Sequence, residues 1–262
     1  MSKGEKPFYI GWQNKMPLDN KKYIKKFVLS IFIALPLLAI VIVCAQKGFN
    51  NHIFEFGKST QFTGIYHDSP IPILEIDRSP NSKFSSDHVL LVGYGKHGAE
   101  GIIKQIEEEN GSLNGKKITI NGTLIQGGGK TLLELTKKKN SLITIHSDEK
   151  QSAKPIDSLV FKRLEGEIID PKCYFGVMKP GEGKIHKSCA IRCISGGIPP
   201  ILKVISGNNK NDFYIILGEN REKINQNILG KIAEKTLISG QYGKLNGWKY
   251  ILTNSQSIKL IE

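Results

Sequence analysis

Three of the chain's four cysteines and one of its six histidines fall within residues 171–200, PKCYFGVMKPGEGKIHKSCAIRCISGGIPP. Cys173 is followed after twelve residues by His186, after two more by Cys189, and after three more by Cys193. Three thiolates and one imidazole suit a tetrahedral zinc ion, and residues three or four apart share one face of a helix. The spacing therefore predicts a site for zinc or another transition metal at Cys173, His186, Cys189 and Cys193.

A disulfide is the alternative use of the same cysteines. If this stretch is exported, it meets an oxidising compartment, where Cys173 could pair with Cys189 or with Cys193 and leave one thiol over. The spacing contains no CxxC pair of a zinc ribbon, no CxxCH haem-attachment motif, and no ferredoxin or Rieske pattern. The sequence leaves metal and disulfide as two open interpretations.

Other residues of the stretch are candidates to border the site. The tyrosine and the methionine could line a pocket for a soft metal or for haem, or simply fill the loop. The glycine pair allows a tight reversal, and the proline pair favours an extended exit into a strand. The predicted binding residues are Tyr174, Met178, Gly196, Gly197, Pro199 and Pro200.

No catalytic residue is predicted. The chain has no HExxH and no nucleophile elbow. The sequence GGGKT at 127–131 lacks the first glycine of a phosphate-binding loop, because Leu124 occupies that position. These observations favour a protein that is not an enzyme.

An apolar run at 27–46 carries no charged side chain and is long enough to cross about 30 Å of hydrocarbon as a helix. The preceding residues, 1–26, contain seven lysines and two acidic residues, a net charge of +5. By the positive-inside rule this tail stays in the cytoplasm, and residues 47–262 are exported. We predict a single-pass protein of the cell inner membrane that contacts lipid through 27–46. A cleaved signal peptide is the alternative.

The exported part contains an internal repeat of apolar alternations, each bounded by glycine, asparagine or proline. Each half predicts strands, a connecting segment with apolar residues at helical spacing, a glycine-containing hairpin and a last strand. The matched pairs are 62–68 with 164–170, 88–95 with 213–220, 116–135 with 234–253, and 141–145 with 257–261.

This order of elements resembles the OB fold, a small five-stranded Greek-key barrel. The resemblance implies a mainly β protein, with an N-terminal transmembrane helix followed by two tandem OB-fold-like barrels, each with a short helix. We place the first barrel at 47–145, a linker at 146–158 and the second barrel at 159–262. The Cys/His stretch is then an insertion at 171–200 between the first two strands of the second barrel. Two generic β sandwiches are the alternative.

These predictions favour a membrane-anchored, extracytoplasmic accessory or assembly subunit of a membrane complex, such as a respiratory one, that docks onto other membrane or extracytoplasmic proteins. The alternative is a protein that handles metal or haem, or carries electrons, through the Cys/His cluster. In layout alone, the chain is similar to the haem chaperone of cytochrome c maturation. The net charge of +13 and the aromatic Tyr242, Trp248 and Tyr250 raise single-stranded nucleic acid as a partner, but export argues against it.

Overall fold

The computed structural model divides into two compact units, residues 1–49 and 50–262. In the first unit, helix α1 (Leu18–Ala45) has 28 residues, or about 42 Å at 1.5 Å per residue. Its most apolar window has a mean hydropathy of 3.1, so α1 is long and apolar enough to span a membrane. The described residues are 15–45, 52–76, 86–136, 139–147, 159–176 and 178–261.

Helix α1 begins nine residues before the predicted start of the apolar run, and includes the lysine-rich segment in front of it. Residues 1–14 of the predicted tail and 148–158 of the predicted linker lie outside the described residues. The membrane, the orientation and the domain boundaries stay predictions.

The first barrel is closed by five strands, which pair in the order β5, β2, β3, β4, β6 and back to β5. Strands β4 and β6 are parallel and the other pairs in this ring are antiparallel. Its elements are β1 (Ile53–Phe54), β2 (Thr60–His67), β3 (Ile73–Ile76), β4 (His88–Val92), α2 (Glu100–Asn110), β5 (Lys117–Gly127), β6 (Lys130–Leu135), a 3-10 turn (Lys139–Ser141) and β7 (Leu142–Ser147).

The second barrel repeats this topology, with β11, β8, β9, β10 and β12 forming the ring and β10 parallel to β12. Its elements are β8 (Val160–Ile169), α3 (Pro171–Phe175), α4 (Lys187–Ser195), β9 (Ile201–Val204), β10 (Phe213–Leu217), a 3-10 helix (Asn225–Lys231), β11 (Lys235–Leu245), β12 (Trp248–Leu252), a 3-10 turn (Ser255–Ser257) and β13 (Ile258–Leu260).

The predicted fold, an apolar N-terminal helix and two five-stranded barrels with short helices, is confirmed. The last strand of each repeat, β7 or β13, lies outside the five-stranded ring and pairs with the long strand β5 or β11. One detail differs from the expectation. The helix between β10 and β11, which corresponds to α2 of the first barrel, is a 3-10 helix. Its sequence NQNILGK contains asparagine and glycine, which are poor α-helix formers.

The repeated glycines have two separate roles. Gly129 and Gly247 occupy the hairpin turns with positive φ angles of 72° and 70°, which glycine adopts without steric cost. Gly64 and Gly166 lie instead within strands, where a Cβ atom would collide with a backbone carbonyl of the neighbouring strand. The repeat therefore marks both the turns and the places where two strands approach closely.

The two barrels pack on one another through an apolar cluster that is separate from their own cores. In β4, Val89 and Leu91 face the core of the first barrel, while Leu90 and Val92 face this shared cluster. Strand β10 of the second barrel alternates in the same way. Trp248 is fully buried in the shared cluster, and its indole N–H donates to the carbonyl of His88 across the boundary at 3.3 Å. The cluster thus joins the barrels into one compact unit.

Candidate metal centre

The insertion after β8 begins with a capped turn of helix. Asp170 follows the last residue of β8, and its Oδ1 accepts a 2.9 Å hydrogen bond from the backbone N–H of Lys172. Pro171 occupies the first helical position, where its missing N–H costs nothing. In this turn Cys173 packs against the shared cluster, and its Sγ lies within 4.8 Å of an Asp170 carboxylate oxygen.

Helix α4 carries the other two thiols. Cys189 and Cys193 are four residues apart and therefore share one face, and His186 immediately precedes the helix. The amide of Asn225 donates to the carbonyls of Ile194 and Ile198 at 2.7 and 2.9 Å, which fixes the end of the helix. These contacts hold α4 in place independently of its thiols.

Cys173, His186 and Cys189 converge, with one donor atom from each lying within 4.8 Å of the others. The two sulfur atoms, Sγ of Cys173 and Sγ of Cys189, are 3.9 Å apart. Tetrahedral ligands at a Zn–S distance of about 2.3 Å would be separated by about 3.8 Å, whereas a disulfide requires about 2.0 Å. All four cysteines are free thiols, so the disulfide interpretation is not what the structure shows.

Cys193 belongs to a second group, with Asp170 and Cys173, whose donor atoms also lie within 4.8 Å of one another. The structure thus arranges the predicted ligands as two overlapping triads that share Cys173. Asp170 was missed at the sequence level. The available signal was the Asp-Pro pair that ends an apolar run three residues before Cys173.

The site is mostly buried, and burial sets its electrostatics. His186 is 6% exposed, its Nε2 has no hydrogen-bond partner, and burial lowers the pKa of its imidazole, which favours the neutral form that binds metals. A hydrogen bond with Cys193, together with burial, raises the pKa of the Cys173 thiol. Lys96 of the first barrel lies with its Nζ 2.9 Å from Cys189 Sγ, a hydrogen bond that raises the pKa of Lys96.

A cavity of about 320 Å³ opens beside the three thiols, and its wall is largely apolar. Met178, which is half exposed, lies on this wall as predicted for a pocket residue. Residues of the first barrel form the opposite side, so sequence reasoning on the insertion alone could not find them. The lining residues are Phe54, Phe56, Tyr94, Gly95, Lys96, Glu134, Lys172, Cys173, Met178, Cys189 and Cys193.

Tyr174 points elsewhere, because its ring packs against Phe175 and Phe213 at centroid distances of 5.4 and 5.6 Å. Gly196 contacts the first barrel, where its carbonyl accepts a 2.9 Å hydrogen bond from the N–H of Gly98.

The other predicted residues in this stretch lie at the exit towards β9. Gly197 has a φ angle of 104°. Pro199 and Pro200 are buried and lead into the strand. Gly197, Pro199 and Pro200 therefore lie in the segment that connects α4 to β9, and they support the site without lining it.

The residues of both triads lie in the insertion or directly before it, and the first barrel contacts them through Lys96, whose Nζ donates to Cys189 Sγ. No significant match is found for this chain among protein-family models, curated proteins or solved structures. Its function must therefore be inferred from the chemistry of the site.

Proposed function

We propose that this chain is a membrane-tethered protein that binds a thiophilic transition-metal ion at Cys173, His186 and Cys189. The observation that carries the proposal is the convergence of these three donors within 4.8 Å, with His186 Nε2 buried and unpartnered. A buried polar atom without a partner is costly, and a metal bond would satisfy it. The helix α1 supplies the tether.

The donor types select the class of ion. Thiolate and imidazole ligands prefer zinc, copper(I) and other borderline or soft ions, whereas calcium and magnesium prefer oxygen ligands. Two thiolates with one imidazole also match the Cys2His set of known zinc sites that keep one position open. Zinc is the ion that we choose for a test with purified protein, because it has no redox chemistry.

The cavity supports a handling role over a purely structural one. Cys173 and Cys189 both line it, so an ion held between them faces the cavity. Structural zinc sites are normally closed by four protein ligands. The helices of the insertion are also fixed by contacts that need no metal, including the Lys172–Glu134 ion pair and the Asn225 hydrogen bonds.

A second candidate function, that of an accessory subunit of a membrane complex, is favoured by exposed apolar side chains around the cavity. Phe56 is 83% exposed and Tyr94 is 45% exposed, and both line its wall. Exposed apolar side chains next to one another mark protein contact sites. A partner that docked here would cover the metal site.

The metal proposal is tested with the full chain, purified in mild detergent, reduced, incubated with Zn²⁺ and desalted. Its zinc content is then measured by mass spectrometry against protein concentration. We expect zinc to be retained by the wild type, and the His186→Ala and Cys189→Ser variants to lose the ion held by this triad. Cys44→Ser, which removes the cysteine of α1, is the matched control and should retain all zinc. A wild type that retains no zinc would contradict the proposal.

The accessory role is tested by cross-linking in native membranes. We expect a cross-linked partner with the wild type, reduced yield with Phe56→Ser, and unchanged yield with Phe161→Ser, since Phe161 is 70% exposed but lies outside the cavity wall. Equal yields for the two variants would contradict docking at the cavity.

A further inference from the structure

The two donor triads share one atom, the sulfur of Cys173. One triad is Cys173 with His186 and Cys189, and the other is Cys173 with Asp170 and Cys193. No group of four donors within 4.8 Å of one another occurs among the described residues. The geometry thus offers two adjacent metal positions rather than one four-ligand position.

We propose that the centre is dinuclear, with the thiolate of Cys173 bridging two divalent transition-metal ions. One ion is held with His186 and Cys189, and the other with Asp170 and Cys193. This inference rests on the proposed metal-binding function and extends it to a second ion. A thiolate sulfur has lone pairs for two metal bonds, so one shared ligand can serve both positions.

Two buried side-chain atoms without hydrogen-bond partners support a second metal position. His186 Nε2 and Asp170 Oδ2 are both buried and lack a hydrogen-bond partner. Asp170 is fully buried, and its other oxygen, Oδ1, is already used to cap α3. The two residues, His186 and Asp170, belong to different triads. One ion bound by a single triad would leave the buried atom of the other residue without a partner, whereas two ions would give each residue a metal bond.

The charges of the thiolates and of the Asp170 carboxylate also support two divalent ions. A divalent ion in the first triad is neutralised by the Cys173 and Cys189 thiolates, which leaves the Asp170 carboxylate and Cys193 without a counter-charge. Burying an unpaired carboxylate is costly. A second divalent ion is neutralised by Asp170 and the Cys193 thiolate, so the complete five-ligand centre has no net charge. Lys96, whose ammonium donates a hydrogen bond to Cys189 Sγ, is exposed to solvent.

The experiment is a zinc count on the full reduced chain in detergent, before and after changes to the second triad. We expect two zinc ions per wild-type chain and one per chain in Asp170→Asn and in Cys193→Ala. Asparagine retains an oxygen that can cap α3, so Asp170→Asn removes the ligand charge and preserves the helix. Far-ultraviolet circular dichroism of each variant checks the fold, and Cys44→Ser should retain two ions.

The possible counts separate this inference from the proposed function. One zinc per wild-type chain would overturn the dinuclear centre and leave the metal-binding proposal standing. Zero zinc would overturn both. Two zinc ions in both the wild type and Asp170→Asn would overturn the assignment of Asp170 to the second ion.

Cobalt(II) tests the bridge itself. Two high-spin cobalt ions joined by a thiolate couple magnetically, whereas two separate ions do not. We expect the electron paramagnetic resonance signal to grow with the first equivalent of Co²⁺ and to fall with the second. A signal that grows in proportion through two equivalents would overturn the bridging role of Cys173.

Discussion

Lys172 and Glu134 form a 3.0 Å ion pair between the two barrels, with side chains only 8% and 9% exposed. Lys172 belongs to α3 of the insertion, and Glu134 belongs to β6 of the first barrel. The ammonium also donates to the carbonyl of Gly93 at 2.9 Å. The helix that carries Cys173 is therefore held by the opposite barrel, and the geometry of the centre depends on how the barrels pack.

Breaking this pair should strongly destabilise the unit formed by the two barrels. Lys172→Met leaves the Glu134 carboxylate buried without a counter-charge and removes the donor to the carbonyls of Gly93 and Gly95, and we expect a loss of about 3–5 kcal/mol in the free energy of unfolding. Chemical denaturation followed by Trp fluorescence measures the loss. Lys187→Met is the matched control, because its pair with Glu234 is partly exposed and such pairs contribute about 0–1 kcal/mol. Equal losses in the two variants would contradict this role for Lys172.

Much of the fold could be predicted because its signals are local. Strand alternation and the glycine-containing hairpin of each half predicted both barrels. The insertion could be recognised because the first repeat contains no segment that corresponds to it. The face-to-face packing was not predicted, although HVLLV at 88–92 and FYIIL at 213–217 are apolar on both faces, which is typical of strands covered on two sides.

The candidate site was only partly predictable. Cys173, His186 and Cys189 could be proposed from residue type and spacing alone. Asp170 could not, because its role depends on the capped turn that directs one oxygen to the helix and leaves the other free. Lys96 comes from the other barrel, so only tertiary packing brings it to Cys189.

The strand glycines should be more sensitive to substitution than a helix glycine. In Gly166→Ala, the new methyl group would collide with the carbonyl of Lys203 on β9, and we expect a loss of about 1–3 kcal/mol from overpacking. In Gly101→Ala, nothing lies within 4 Å of the new methyl group, and helix α2 should gain about 0.5–1 kcal/mol. Denaturation curves of both variants measure these changes. An unchanged free energy of unfolding in Gly166→Ala would show that β8 and β9 can move apart to accommodate the methyl group without cost.

Lys130 should make the free energy of unfolding of the barrels depend on pH in the alkaline range. Burial lowers the pKa of Lys130 below its ordinary value of 10.5, and the nearby charge of Lys249 adds to this. Between the lowered pKa and 10.5, the unfolded chain binds more protons than the folded one, so the free energy of unfolding should rise with pH through this window.

The matched variant for this effect is Lys130→Met, which keeps a long unbranched side chain and removes the positive charge 4.6 Å from the Trp248 ring. The difference in free energy of unfolding between wild type and variant should shift in favour of the wild type as pH rises towards 10.5. Denaturation curves at several pH values measure this. A difference that does not change with pH would contradict a lowered pKa at Lys130.

Metal binding should protect particular thiols from alkylation. Cys173 and Cys189 are half-buried and line the cavity, so in the metal-free protein iodoacetamide should reach both, with Cys173 reacting more slowly because the pKa of its thiol is raised. Cys193 is 1% exposed and should react slowly. With Zn²⁺ bound, the sulfur lone pairs of Cys173 and Cys189 are held by the ion, and we expect alkylation at both to fall at least about tenfold, in line with thiolate-dependent reactivity. Peptide mass spectrometry resolves the sites, and Cys44 serves as the internal control whose labelling should not respond to zinc. Protection that appeared equally at Cys44, or at neither cavity thiol, would place the zinc elsewhere in the chain.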